Sequence, residues 1–423
     1  MAIKKTLRAQ TLILFATVAL LISGCASSST STSGGFTSGP GVDTKNKTIT
    51  LGVFTPLSGS VAVIGKPLTR GIEVFFDYVN KDLGGIDGYQ VMLNEQDSKY
   101  DPQTEATEYK AVHNDIAMVA ESLGTEPTFQ IKDLSTTDHM LVSAATLASS
   151  LAREKYLILV GTPYRLQVEN AFDYIVNTQH VQNPATGIIY QNDEYGQDGL
   201  TGYKESVTAY HLNDVGQASY GVTDTDFTAE VSQMASAGAK YVFLTTTPTV
   251  TVGILTKAFQ LHYAPQWILQ SPGFLSELLA IPQVAPLFNG VWVVGQGASW
   301  GDTSKPGMAE MLSNIQKYAS DQTPDGFFEF GYTEAKITYA ILKKAFDNKD
   351  VSRDGLYKAF ASLGTVDLGG LYPTAHYGTS PNQRVPTRDN TIYEVVPPSM
   401  TAPLGLMALS SDFVGTAAMA SQF

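Results

Sequence analysis

The chain has 423 residues, 43% of them hydrophobic and 16% charged, and a net charge of −13. That length exceeds one compact core, so two domains are expected. The acidic balance disfavours a phosphate-backbone partner, so no nucleic acid is expected, and the lone cysteine, Cys25, excludes a disulfide framework.

Lys4, Lys5 and Arg8 open the chain in a stretch without acids, and Thr11 to Ile22 is a short apolar run. It falls well under the ~20 residues that span a bilayer. The run ends in Leu21-Ile22-Ser23-Gly24-Cys25, which resembles a bacterial lipobox. The expectation is a signal peptide over 1–24, cleavage before Cys25, and a diacylglyceryl thioether on Cys25 with N-acylation in many bacteria. Two or more acyl chains anchor stably where one is marginal. Residues 25–47 are rich in Ser, Thr and Gly without an apolar period, which predicts a flexible tether.

Ile49, Leu51 and Val53 then alternate with polar or small residues, as a strand does. Thr55, Pro56, Ser58, Gly59 and Ser60 form a loop, and from Leu68 to Leu83 apolar residues fall at helical spacing. Gly84-Gly85 ends that helix, and Val91 and Leu93 begin a strand. This is a βαβ unit with a polar, Gly-containing loop where strand meets helix, the place where open α/β sheets bind ligands.

The alternation continues. A polar helix is expected near 103–114, a strand at 116–120, and a helix opened by Gly124-Thr125-Glu126-Pro127, where Thr125 suits an N-cap. Strands follow at 140–142, ending in Ser143-Ala-Ala-Thr146, and at 156–160. Further strands are expected at 187–190, 218–222, 241–244, 267–269 and 290–294, most followed by a helix. Residues 308–360 read as mostly helical. The last strands are expected at 370–372 and 391–396, and the small-residue tail from Pro397 as poorly ordered. Regular β-then-α alternation means parallel sheets covered by helices. Thr, Ser or Gly clusters recur at strand end after strand end, better evidence for a solute cleft than any single turn.

Thr55-Pro-Leu-Ser-Gly59 with Gly65, Asp101-Pro102, Ser143-Ala-Ala-Thr146, Asp193-Glu-Tyr195-Gly196, Asp226-Phe227 and Phe327-Phe-Glu-Phe330 together resemble, in order and spacing, the type I periplasmic solute-binding family. These are the branched-chain amino acid receptors of ABC importers. The similarity covers roughly residues 48 to 396. It implies an α/β fold of two doubly wound parallel-sheet lobes joined by three crossings, placed near 160–163, 296–300 and 364–368. Lobe 1 is then 48–160 with 299–366, lobe 2 is 161–298 with 367–397, and 398–423 is a tail. A ligand lies between lobes that close by hinge motion.

The resemblance also implies site residues. Lobe 1 of the family holds a ligand carboxylate at two strand-to-helix loops, matched here by Gly124-Thr125 and Ala145-Thr146-Leu147. The physics agrees independently, since a helix N-terminus offers free N–H donors and about half a positive charge. Glu126 opposes an anion there unless it points aside. On lobe 2 the chain departs from the pattern. Ser271 stands where an acid pairs the ligand ammonium, and Thr247 replaces an aromatic residue, which disfavours α-amino acids. Tyr195 is retained and Tyr164 lies by the first crossing. Ile64 falls where an aromatic is usual, Leu147 replaces a hydroxyl, and Trp267 and Phe328 lie nearby, so the walls read as apolar. A small acid or amide with an apolar body suits such a cleft, and the expected ligand is a small organic acid, amide or amino-acid-like molecule.

An enzyme is not expected. The six histidines are scattered without metal-ligand spacing, no Gly-x-Ser-x-Gly elbow occurs, and Gly295-Gln-Gly297 lacks the third glycine of a dinucleotide loop. No metal or cofactor is therefore expected. The reading is a lipid-anchored receptor on the outer face of a bacterial membrane, delivering a small-molecule ligand to an ABC permease and ATPase. The alternative is a ligand-sensing module that docks on a signalling receptor.

Overall fold

The computed structural model describes residues 31–33 and 35–423, and the expected signal peptide and Cys25 lie outside them. Two parallel sheets carry the fold. In the first, the strand Thr48–Thr55 pairs in parallel with Gln90–Asp97 on one side and Met118–Leu123 on the other. Val142–Ala145 and Leu157–Ile158 extend it beyond Met118–Leu123. Of the parallel strands, the first in chain order is thus flanked by the next two. The polypeptide winds outward both ways from that point, and the loops leaving adjacent strands diverge there to form a crevice.

The second sheet repeats the plan. Ala185–Gln191 lies between Asn213–Tyr220 and Tyr241–Thr245, followed by Gln266–Leu269 and Trp292–Gly295, all parallel. Thr391–Val395 and Leu406–Ala408 then add antiparallel edge strands.

Helices form where the apolar spacing predicts them. Ala62–Lys81 buries Leu68, Ile72, Phe75, Phe76 and Val79 along one side. It packs against the long helix Gly326–Asp347 with the backbones nearly touching. A Cβ on Gly71 would fall 2.2 Å from the Phe328 carbonyl oxygen, and one on Gly331 would fall 1.9 Å from that of Leu68. Only glycine at both positions allows this approach.

Four expectations change. First, the tether is shorter than 25–47. Phe36–Ser38 pairs in parallel with Asp350–Val351, Phe36 stacks on Tyr89 at 5.8 Å, and Val42–Asp43 pairs with Thr48–Thr55. A lone aromatic in a polar stretch was the signal for this docking.

Second, residues 370–372 are a turn. The strands in this region are Gly364–Val366 and Ala375–Tyr377, which pair with each other.

Third, that hairpin stays with the first sheet, because Leu371, Tyr372, Tyr377 and Val385 bury in the first core and the Tyr377 hydroxyl donates to the Leu159 carbonyl at 2.8 Å. The third crossing therefore lies nearer 386–390 than 364–368. It runs beside the first crossing, where the Thr162 hydroxyl donates to the Asp389 carbonyl at 2.6 Å.

Fourth, residues from 397 onward are folded rather than disordered. Besides the edge strand Leu406–Ala408, they form the helix Thr416–Ala420, and the Arg388 guanidinium donates to the Ala418 and Ser421 carbonyls. Small residues fit here because they lie flat on the helix Tyr164–Asp173, with Ala418 fully buried.

Candidate functional site

The crevices of the two sheets face each other across one cavity. It encloses about 1370 Å³, its open mouth included. Ile64, Gly124, Thr125, Ala145, Thr146, Leu147, Tyr164, Tyr195, Thr247 and Ser271 all line it.

The polar corner is built by two strand ends. Gly124 sits at φ +109°, a conformation that disfavours a side chain, and a Cβ there would fall 2.5 Å from the Tyr100 ring. Gly124 is itself the N-cap of the helix Thr125–Asp138, so Thr125 is the first helical residue and not the expected cap. Its hydroxyl is therefore free of capping and lies 2.6 Å from the Thr146 hydroxyl. One of the pair donates to the other, which leaves one O–H for a further acceptor. The first backbone N–H groups of the helix have no partner within it, and Pro127 contributes none. Burial pushes the Tyr164 hydroxyl up to about 12, against the pull of Thr146, so it remains a neutral donor.

Glu126 does point aside. Its carboxylate accepts the backbone N–H of Glu194 from the other lobe at 3.0 Å, so it ties the lobes together beside the corner. A second tie stands elsewhere on the cleft, where the Ser276 hydroxyl donates to the Pro324 carbonyl at 3.2 Å. Between Glu126 and the first crossing, the Asp198 carboxylate takes the Ser149 N–H at 2.9 Å and the Arg165 N–H at 3.1 Å.

The second lobe presents hydroxyls and rings. Tyr195 packs edge-on to Tyr164 at 4.8 Å and donates to the Thr246 carbonyl at 3.1 Å. The Ser271 N–H donates to Gln167 at 3.0 Å, which seats the loop that replaces the expected acid. No carboxylate, Lys, Arg or His from this lobe lines the cavity among the described residues.

The remaining wall is apolar, with Leu68, Leu123, Phe274, Leu275, Trp300 and Phe330 prominent. Phe328 is not part of it. It is fully buried beside Trp300, at 6.3 Å, because a helix turns about 100° per residue and sends 328 to the side opposite 326, 329 and 330. Phe327 and Phe330 face the cavity in its place. Trp267 is likewise core, packed edge-on to Tyr263 at 5.7 Å.

Several lining residues escape a reading by strand ends. Tyr100 belongs to the turn before the helix Pro102–Val112, and Ala402, Pro403, Leu404 and Leu406 come from the terminal segment expected to be disordered. Leu404 also packs against the first core, so this segment straps the cavity from the second sheet to the first lobe. Among the described residues, Glu329 is the one acid lining the cavity, and it lies inside the aromatic run Phe327–Phe330 already singled out by sequence. Among the described residues, no group of three or more His, Cys, Asp or Glu side chains is placed to hold a metal ion.

A family model described as periplasmic binding protein matches residues 48–399. Leu/Ile/Val-binding protein homolog 3 of Brucella melitensis biotype 1 is 27% identical over 199 residues, which is 46% of this chain and about half, 53%, of that protein. Leu/Ile/Val-binding protein homolog 8 of Brucella abortus is 22% identical over 308 residues, or 70% of this chain and 76% of that protein. Among solved structures, a fatty acid ABC transporter substrate-binding protein from Thermomonospora curvata superposes with a TM-score of 0.84 at 25% identity, covering 92% of this chain and 97% of that one. A branched chain amino acid ABC transporter protein from Thermus thermophilus with bound valine shares the fold, with a TM-score of 0.75 at 17% identity over 87% and 97% of the two chains.

Proposed function

The chain belongs to the periplasmic binding protein family, and from that membership we propose that it is the lipid-anchored, extracytoplasmic receptor of an ABC importer whose two lobes close on a carboxylic acid with an extended apolar body. The observation that carries this reading is the asymmetry of the cavity. Helix N–H groups and the hydroxyls of Thr125, Thr146 and Tyr164 meet at one corner, and the walls elsewhere are mainly apolar. A carboxylate gains charge-assisted hydrogen bonds at such a corner. An aliphatic chain gains about 0.8 kcal/mol for each CH₂ it buries. The Thermomonospora curvata relative, described as a fatty acid receptor, supports the apolar body.

An α-amino acid is disfavoured. Its ammonium would be desolvated against Ser271 and Thr247 with no carboxylate from the second lobe to pair it. Ligand contacts on both lobes favour the closed form, which the permease and ATPase complex then engages.

Calorimetry of the soluble domain with hexanoate, octanoate, decanoate and leucine tests the ligand class. Saturable binding of the longer acids with weak or absent leucine binding is expected, and tight leucine binding without acid binding refutes the reading. Anchoring is tested separately. Cys25→Ser should move the protein from the membrane fraction to the soluble one in cells, and unchanged membrane retention would remove Cys25 as the anchor.

A further inference from the structure

Glu329 stands apart from the polar corner of the cavity. It is 3% exposed, it lines the space, and its Oε1 is buried without a hydrogen-bond partner. Among the described residues, no Lys, Arg or His lines the cavity to neutralise it. An isolated buried carboxylate is costly, so the group holds its proton, and burial accordingly pushes it well above the ordinary carboxylate range. A neutral carboxyl offers one O–H donor and acceptor oxygens. Left unmade, those bonds leave a desolvated polar group in an apolar wall.

Two more polar groups converge there. Tyr372 and Tyr393 line the same cavity, and a Cβ on Gly297 would fall 2.7 Å from the Tyr372 ring and 2.9 Å from Glu329 Oε1, so ring and carboxyl meet over that glycine. The Tyr393 hydroxyl donates to the Gly297 carbonyl at 3.2 Å, which holds it at the same glycine. The close approach of Gly71 and Gly331 fixes the helix that carries Glu329, so the carboxyl is held in place rather than swung to solvent.

We propose that Glu329, with Tyr372 and Tyr393, forms a second polar subsite that hydrogen-bonds a neutral hydroxyl or carbonyl group on the apolar body of the ligand. The ligand class is then an oxygenated aliphatic acid, bearing its carboxylate at Thr125 and Thr146 and a hydroxyl or keto oxygen further along the chain. This assignment rests on the carboxylate reading above.

The test is calorimetry of wild-type protein, Glu329→Gln and Glu329→Leu with octanoate, decanoate and dodecanoate and with the ω-hydroxy and ω-amino derivative of each. Melting curves establish that both variants are folded. For at least one chain length, wild type should prefer the ω-hydroxy acid over the plain acid by about tenfold. Glu329→Gln, which keeps a donor and an acceptor, should retain most of that preference. Glu329→Leu should lose it and bind the plain acid at least as well as wild type.

Equal binding of plain and ω-hydroxy acids by wild type overturns the subsite, and so does a preference that survives Glu329→Leu. Preferential binding of the ω-amino acids overturns the neutral-group assignment in favour of an ion pair with a charged Glu329. If acids of every kind fail to bind wild type, the carboxylate reading fails and this assignment falls with it. If the plain acids bind and the hydroxyl adds nothing, the Glu329 assignment falls alone.

Discussion

Single side chains decide both ends of the cleft's chemistry. Thr125 is buried and free of capping, and its hydroxyl is shared only with Thr146. Thr125→Ala should therefore weaken a carboxylate ligand by about 1–3 kcal/mol, and calorimetry that finds unchanged affinity removes the contact. Away from the cleft, Glu121 is fully buried in the first lobe and accepts from the Thr69 hydroxyl at 2.8 Å. Burial raises it from 4.5 to about 8. A raised acid binds its proton more tightly folded than unfolded, so its contribution to stability is fully present below pH 4.5 and is lost as pH rises towards about 8. By pH 7 the loss is on the order of 3 kcal/mol. Glu121→Gln keeps an acceptor for Thr69 without that dependence. It should raise the melting temperature at neutral pH and leave it nearly unchanged near pH 4, and a variant that melts lower at both pH values would show the carboxyl to be needed for packing.

At the scale of elements, the strand-to-helix junction at Gly124 sets the geometry of the polar corner. Its φ of +109° and the Tyr100 ring against it leave no space for a Cβ. Gly124→Ala should cost about 1–3 kcal/mol of stability and displace Tyr100 or the helix start. Denaturant unfolding measures the first effect and loss of ligand affinity the second. An unaffected variant would mean that the junction tolerates the change and does not position the site. This junction was half legible. A Gly followed by Thr and Pro marks a helix start, but sequence favours Thr125 as the cap, whereas the backbone turns one residue earlier because Tyr100 covers Gly124. The aromatic run 327–330 was legible as part of the site, but Phe328 was the wrong member, since helical phase sends it into the core.

For the whole molecule, the ties that cross the cleft are few and identifiable. Glu126 holds the Glu194 N–H, Asp198 holds the Ser149 N–H, and the Ser276 hydroxyl donates to the Pro324 carbonyl. Glu126→Ala removes the first without touching the carboxylate corner. The population of the closed form should fall, weakening apparent affinity by about threefold to tenfold. Small-angle scattering of the ligand-free variant should show a larger radius of gyration than wild type. If affinity and radius both stay put, the lobes are held by other contacts.

Sequence by itself determined the order of strands and helices, the family and the polar strand ends, because hydrophobic period and turn residues are local signals. The expected export signal rests on sequence alone, since Cys25 lies outside the described residues. Tertiary structure decided what lies far along the chain and meets only in space. It placed Phe36 beside Tyr89 and Phe346, set the third crossing beside Asp389, and laid Leu404 and Leu406 over the cavity. It also left Glu329 as the one acid among the described residues of a mainly apolar wall. The physical reason is that period and propensity report which residues are buried, whereas the partner each one buries against depends on how two sheets and the returning chain pack together.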